Sequence, residues 1–134
     1  MKFKISNDSF WNDINEQHSV NGGVYKVIAT ENKKPIPISR LLGKDNEGVL
    51  YIGQTISFLD RVIELKKSTA PKYVSSNHEF GFRYKEHPSI KINFPYDKLF
   101  IDLQPSNKPD ELEKEELKKY YEQFGELPPL NRQG

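Results

Sequence analysis

The sequence predicts an α+β fold whose elements follow the order ββαβα. Two short runs rich in β-branched residues, at 24–29 and 48–52, are typical of strands. An amphipathic helical pattern follows them directly, and a third apolar run at 98–103 precedes a second helical pattern. The chain has 134 residues, of which 35% are hydrophobic, and this is enough for one modest core but not for two. We therefore expect one domain spanning residues 1–134.

Residues 1–21 are polar, and we expect them to form a helical or irregular arm outside a core of residues 22–131. Phe10, Trp11 and Ile14 could share one face of a short helix in this arm. The connection at 31–47 carries Pro35, Pro37 and a turn signal, which predicts a long hairpin connection over the surface.

Two helices are expected. The first begins after Ser57, which forms a capping-box pattern with Asp60, and ends near residue 70. The second runs from about residue 110 to 124, and Gly125 closes it. Between them, residues 73–94 are mixed and aromatic, and we interpret them as a loop with a short strand.

Composition excludes several classes of protein. The chain has no cysteine, so disulfides and thiolate metal sites are excluded. It shows neither the apolar run of a signal peptide nor a membrane span, which predicts a soluble, cytoplasmic protein. The net charge is only +1, but residues 26–91 hold 12 Lys/Arg against 7 Asp/Glu. If the partner is nucleic acid, we expect this positive middle region to form one face.

Glu113 is the most informative residue of the second helix. At 100° per residue it falls in the middle of the apolar stripe formed by Leu117, Tyr120, Tyr121 and Phe124. A carboxylate on a buried stripe is costly unless it meets a cation, strong donors or a metal. A metal site and a buried salt bridge both remain open, and Glu116 at the edge of the stripe is the reserve candidate.

Arg61 raises the same question on the first helix, where it projects beside Phe58 and Leu65. A guanidinium at such a boundary can present its donors to a phosphate or a carboxylate while its stem packs on apolar neighbours. The alternative is a surface arginine with no partner of this kind.

Taken together, these residues resemble the GIY-YIG nuclease family. The resemblance spans residues 22–131 and consists of two strand triplets, a helical arginine, a later helical glutamate and a terminal asparagine. They are Gly23-Val24-Tyr25, Tyr51-Ile52-Gly53, Ser57 with Arg61, Glu113, and Asn131. Three features depart from the family pattern: Val24 replaces isoleucine, the connection between the triplets is long, and Leu65 stands where many members have histidine.

The resemblance implies a small three-stranded antiparallel sheet flanked by helices, and a nuclease that uses one Mg²⁺ or Mn²⁺ ion. Glu113 would hold the metal and Arg61 would face the phosphate. Tyr25 would be the general base and Tyr51 an assisting hydroxyl, while Asn131 would stabilise the site. A tyrosine has an ordinary pKa near 10, so a base would need a metal-bound water or a nearby lysine. The candidate lysines are Lys26, Lys33, Lys34 and Lys44.

His78 resembles a loop histidine that contacts phosphate in some family members, and a loop histidine without a role is the alternative. Nucleic acid, with DNA preferred, is the predicted partner. Its predicted contacts are Lys33, Lys34, Arg61, Lys66, Lys67, Arg83 and Lys85. Ordinary strand tyrosines and a turn asparagine remain alternatives for Tyr25, Tyr51 and Asn131.

Two classes of function follow. The first is a metal-dependent endonuclease that hydrolyses phosphodiester bonds. The second is a weakly active or inactive module of the same fold that binds nucleic acid or another partner. The first class requires that Tyr25, Tyr51, Arg61 and Glu113 converge on one pocket, and Glu113 on the far side of the sheet from Tyr25 would count against the resemblance as an argument for function.

Overall fold

A computed structural model describes residues 2–18, 21–70 and 79–131 of the chain. Over these residues it contains seven strands and five helices. The strands are β1 (Lys2–Lys4), β2 (Gly23–Glu31), β3 (Lys34–Pro35), β4 (Ile38–Arg40), β5 (Gly43–Asp45), β6 (Val49–Thr55) and β7 (Leu99–Pro105). The helices are α1 (Phe10–His18), α2 (Phe58–Thr69), α3 (Glu79–Glu86), α4 (Pro88–Asn93) and α5 (Pro109–Phe124).

The main sheet is antiparallel and has five strands. β7 lies between β1 and β2, β2 also pairs with β6, and β3 pairs with the end of β2. The α+β class is therefore confirmed, but the three-stranded sheet and the simple ββαβα order are not. The additional strands are β1 in the predicted arm and β3 in the predicted hairpin connection, where β4 and β5 form a separate small ribbon.

The three strands predicted from β-branched runs correspond to β2, β6 and β7. A register shift in the pairing of β2 with β6, between Val27 and Ile28, accommodates one additional residue of β6. As a result, Tyr25 pairs with Gly53 and Val27 pairs with Tyr51. The two motif tyrosines are therefore diagonal neighbours rather than direct partners.

Both predicted helices are confirmed, together with the residues that end them. The Ser57 hydroxyl accepts a hydrogen bond from the Asp60 backbone N–H at 3.4 Å at the start of α2. Gly125 closes α5 with φ of +76°, a left-handed conformation that costs glycine little.

The interpretation of residues 73–94 as a loop with a short strand is wrong where the structure describes them. Residues 79–93 form α3 and α4 instead. Phe80 and Tyr84 are four residues apart on α3, both buried, and their rings stack with centroids 5.7 Å apart. This contact across one helical turn stabilises a segment that Gly81 would otherwise weaken.

The predicted arm packs into the core. Phe3 and Ile5 alternate with lysines as a strand would, and Phe10 and Ile14 lie one helical turn apart on α1. All four side chains are buried in the main hydrophobic cluster. Trp11 was expected to share their face, but it is 43% exposed.

Two layers cover the sheet. On one face, Tyr25, Val27 and Tyr51 belong to the cluster that also holds side chains of α1, α2 and α3. On the other face, Val24 and Ile28 pack with the buried side of α5, in a second and smaller cluster. The candidate residues of α2 and of α5 therefore approach the sheet from opposite layers.

None of the helices in the described ranges is both long enough and apolar enough to cross a bilayer.

Candidate active site

The two motif tyrosines meet above the glycine of the second triplet. Tyr25 and Tyr51 have ring centroids 6.1 Å apart. A Cβ atom on Gly53 would lie 2.5 Å from Cζ and Oη of Tyr25 and 2.8 Å from Cε2 of Tyr51. These distances are far below van der Waals contact, so only glycine leaves room for both rings. Packing of the two tyrosine rings therefore explains why glycine follows Tyr51-Ile52 in this strand.

Arg61 completes a hydrogen-bonded cluster on this face. Its Nε donates to Oη of Tyr25 at 3.3 Å, and Tyr51 is a further hydrogen-bond partner of Tyr25. Arg61 also donates from Nη1 to Glu64 at 2.7 Å. Its side chain is 30% exposed, whereas Tyr25 is 1% exposed. The cluster therefore joins a buried phenol to a guanidinium that reaches solvent.

The protonation of Tyr25 bears directly on the predicted role as a base. Burial raises the pKa of Tyr25 to about 12, although hydrogen bonds from Arg61 and Tyr51 and the charge of Arg61 oppose this shift. In this structure Tyr25 is therefore a neutral phenol at neutral pH. Removing its proton would require more positive charge than Arg61 supplies.

None of the four lysines proposed to assist Tyr25 is suited to do so. Lys26 points to the opposite layer, where its Nζ lies 3.2 Å from Glu116 on α5. Lys33 and Lys34 lie at the far end of β2 from Tyr25, and Lys44 is on β5 of the separate ribbon. The cation beside Tyr25 is Arg61.

Glu113 lies on α5 near the same part of β6. Nε2 of Gln54 donates to Asp110 at 3.3 Å, and Glu116 pairs with Lys26, whose strand partner is Ile52. Glu113 lies between Asp110 and Glu116 along α5, the helix that contacts β6 through Gln54 and β2 through Lys26.

The charge of Glu113 also affects the pKa of Tyr25. After burial, which raises the pKa of Tyr25 most, the Glu113 carboxylate raises it further. Glu113 and Tyr25 belong to different layers, on opposite faces of the sheet. Glu113 itself is half-buried, as its place on the stripe predicted. The reserve candidate Glu116 is half of a salt bridge.

Asn131 binds the outer edge of β6. Its side-chain oxygen accepts from the Ile52 N–H and its side-chain nitrogen donates to the Ile52 carbonyl, each at 2.9 Å. The Leu130 N–H donates to the Leu50 carbonyl at 2.9 Å. Tyr51 is thereby held between two anchored neighbours, and the role of Asn131 in the site stays a prediction.

Several predicted nucleic-acid contacts are occupied within the chain. Nζ of Lys66 donates to the carbonyls of Ile5 and Asn7, at 2.6 and 3.1 Å. Nη1 of Arg83 donates to the carbonyl of Leu130. Both side chains therefore tie segments of the fold together, and this weakens the argument that they contact phosphates.

The other predicted contacts lie on three separate elements. Lys33 and Lys34 are exposed at the turn between β2 and β3, Lys67 is exposed near the end of α2, and Lys85 is on α3. Arg40 of the positive middle region pairs with Glu126 at 2.8 Å. The positive charge counted in the sequence is thus partly neutralised by pairing inside the molecule. His78 lies outside the described residues.

Glu113 is the residue predicted to hold a metal ion. Among the residues that the structure describes, no group of three or more His, Cys, Asp or Glu side chains could hold a metal. Mg²⁺ is commonly bound by one or two carboxylates with water and substrate phosphate oxygens. The half-buried carboxylate of Glu113 is a candidate ligand for a site of that kind, but its helix α5 packs on the opposite face of the sheet from Tyr25 and from α2, which carries Arg61.

Three residues at this site were missed as candidates in the sequence. Gly53 belongs to the second triplet, and its lack of a side chain leaves room for both tyrosine rings. Glu64 pairs with Arg61 at the i,i+3 spacing, a helical signal readable in the sequence. The Phe80 ring packs edge-on against Tyr51 with centroids 5.7 Å apart, but α3 had not been predicted.

Comparisons of the chain with protein-family models, with curated proteins and with solved structures find no match in any of the three. The resemblance to the GIY-YIG nuclease family therefore rests on the residues named above, and it stays a prediction.

Proposed function

We propose that this protein is a metal-dependent endonuclease of the GIY-YIG type, which hydrolyses phosphodiester bonds in DNA. The observation that carries the proposal is the hydrogen-bonded cluster of Tyr25, Tyr51 and Arg61 above Gly53, while Glu113 lies on α5 in the opposite layer of the sheet. These residues come from four elements of the chain. A buried tyrosine that accepts a hydrogen bond from a helical arginine is unexpected for an ordinary strand tyrosine.

In the proposed reaction, Arg61 contacts the non-bridging oxygens of the phosphate. Its side chain reaches solvent while its Nε remains on Tyr25, so the guanidinium is both accessible and oriented. Positive charge aimed at these oxygens stabilises the charge that develops in the transition state of an in-line displacement.

Tyr25 is the proposed acceptor of the proton from the attacking water, and for this its phenol must first release its own proton to solvent. Its pKa of about 12 leaves it protonated before substrate arrives, so it begins as a hydrogen-bond donor that orients the water or phosphate. A metal ion held by Glu113 would add the positive charge that lowers this pKa and would neutralise phosphate oxygens. Tyr51 and Asn131 keep the phenol and strand β6 in place.

A binding module without turnover is the second candidate, and specific contacts favour it. Arg61 is already paired with Glu64, and Lys66 and Arg83 donate to backbone carbonyls. A raised rather than lowered Tyr25 pKa is also unhelpful to a base. Such a protein would bind nucleic acid or another partner through the same surface and leave it intact.

The test is conversion of supercoiled plasmid to the nicked form, with and without Mg²⁺ or Mn²⁺. We expect nicking only with metal, and a fall of about 10²-fold or more in Glu113→Gln, which keeps the volume and removes the charge. DNA binding and the melting temperature should stay near those of the unaltered protein.

Glu116→Gln is the matched control, because it makes the same change one turn along α5. It should leave nicking nearly intact and lower stability slightly, since Lys26 loses its partner. Binding without nicking under any metal condition would favour the second candidate. If Glu113→Gln lost stability together with activity, Glu113 would be half of a buried salt bridge.

A further inference from the structure

Arg61 already holds an anion. Nη1 of Arg61 lies 2.7 Å from a carboxylate oxygen of Glu64, one turn further along α2. The Glu64 side chain is 46% exposed, so this pair is open to solvent. The proposed reaction gives no role to Glu64.

The hydrogen bonds of Arg61 occupy both of its phosphate-binding edges. A guanidinium binds an oxyanion with two parallel N–H groups, either from Nε and Nη2 or from Nη1 and Nη2. Nε donates to Tyr25 and Nη1 donates to Glu64. Each edge therefore includes one nitrogen that already donates within the chain.

The two internal partners differ in how easily they can be displaced. Tyr25 is buried and fixed by Gly53, so its contact with Nε is part of the packed core. Glu64 is on the surface, and an exposed ion pair contributes little free energy. An incoming phosphate would therefore replace Glu64 and leave Tyr25 in place.

We infer that Glu64 is an internal competitor for the phosphate site, and that it sets the affinity of this protein for a phosphodiester. The inference rests on the proposed function. Glu64 pairs with the edge of Arg61 formed by Nη1 and Nη2 until a phosphate of the substrate displaces it. The negative charge of Glu64 repels a phosphate that does not displace it. The phosphodiester backbone is thus bound through Nη1 and Nη2 of Arg61, with Nε still on Tyr25.

The experiment measures the dissociation constant for a short duplex DNA in EDTA, so that no cleavage occurs. The full-length variants are Glu64→Gln, Arg61→Met and the combination of both. Asp60→Asn is the matched control, because it removes one exposed carboxylate from the same helix, and Asp60 makes no ion pair with Arg61 among the described residues.

We expect Glu64→Gln to tighten binding by about twofold to fivefold, the range that corresponds to exposed ion pairs. Asp60→Asn should change it less, and the gain should vanish when Arg61 is methionine. An equal gain in Asp60→Asn, or a gain that survives Arg61→Met, would overturn the inference, because either result reports general charge.

Weaker binding by Glu64→Gln would also overturn it, since Glu64 would then orient Arg61 for binding. Both results leave the proposed function intact, provided that Arg61→Met weakens binding. If Arg61→Met binds as tightly as the unaltered protein, the proposed phosphate contact and the inference fail together.

Discussion

Two buried tyrosines, on opposite sides of the sheet, differ in whether their hydrogen-bond partners reach solvent. Tyr25 is 1% exposed and Tyr120 is 7% exposed, and burial raises the pKa of each phenol. Oη of Tyr120 donates to Asp45 at 2.9 Å, and Asp45 also accepts from the backbone N–H groups of Glu47 and Val49. This second cluster is closed, because Asp45 is itself 1% exposed.

The Tyr25 cluster is open instead. Its charged partner Arg61 reaches solvent, and the two tyrosine rings occupy the position that a side chain at Gly53 would take. Burial and a perturbed pKa are therefore shared by a structural cluster and a candidate site. What separates them is a charged group with an accessible side, the guanidinium of Arg61.

Gly53→Ala should have the largest effect on this contrast. A Cβ 2.5 Å from the Tyr25 phenol forces both tyrosine rings to move. We expect nicking to fall by about 10²-fold or more and stability to fall by about 1–3 kcal/mol. A plasmid assay and a thermal melt measure both, and an alanine variant with full activity would show that the position of Tyr25 is unimportant.

Asp45→Ala should affect stability and leave activity intact. The variant leaves the hydroxyl of Tyr120 and the buried Val49 N–H without their acceptor, at an expected cost of roughly 3 kcal/mol. Denaturant unfolding measures the loss, and nicking is then compared per folded molecule. A stable variant that no longer nicks would reverse the roles assigned to the two clusters.

Alkaline pH offers a smaller test. The folded-state pKa of Tyr25 is raised from 10.0 to about 12, so its contribution to stability is complete below about pH 10 and declines as pH rises towards 12. At about pH 11 the loss from this group should be about 1.4 kcal/mol. Denaturant unfolding of the unaltered protein and Tyr25→Phe measures it, and equal pH slopes for the two would contradict the raised pKa.

Some helices and strands could be predicted from the sequence more readily than others. Helix α5 was predictable because its stripe is regular and Gly125 ends it, and α2 was predictable from Ser57 and Asp60. Strand β1 also left a signal, since Phe3 and Ile5 alternate with Lys2 and Lys4, but three residues are too few to distinguish a strand from a polar arm.

The site was less predictable than the elements. The Tyr25–Gly53 pairing follows from a register shift at Val27 and Ile28, and such an irregularity is set by packing rather than by any turn residue. The closure of β6 by Asn131 is a contact over 79 positions. Sequence patterns name the residue types at such a site, but long-range register decides which of them meet.

The central claim is that the Tyr25–Arg61 cluster takes part in the proposed cleavage and that the Tyr120–Asp45 cluster stabilises the fold. The most direct measurement compares Mg²⁺-dependent nicking and thermal stability of Tyr25→Phe and Tyr120→Phe. We expect Tyr25→Phe to nick about 10²- to 10⁴-fold more slowly, with a smaller fall in melting temperature than Tyr120→Phe, because Arg61 reaches solvent and can donate to water instead. Tyr120→Phe should nick normally but melt earlier, because Asp45 loses a donor. Normal nicking by Tyr25→Phe, or equal loss in both variants, would contradict the account.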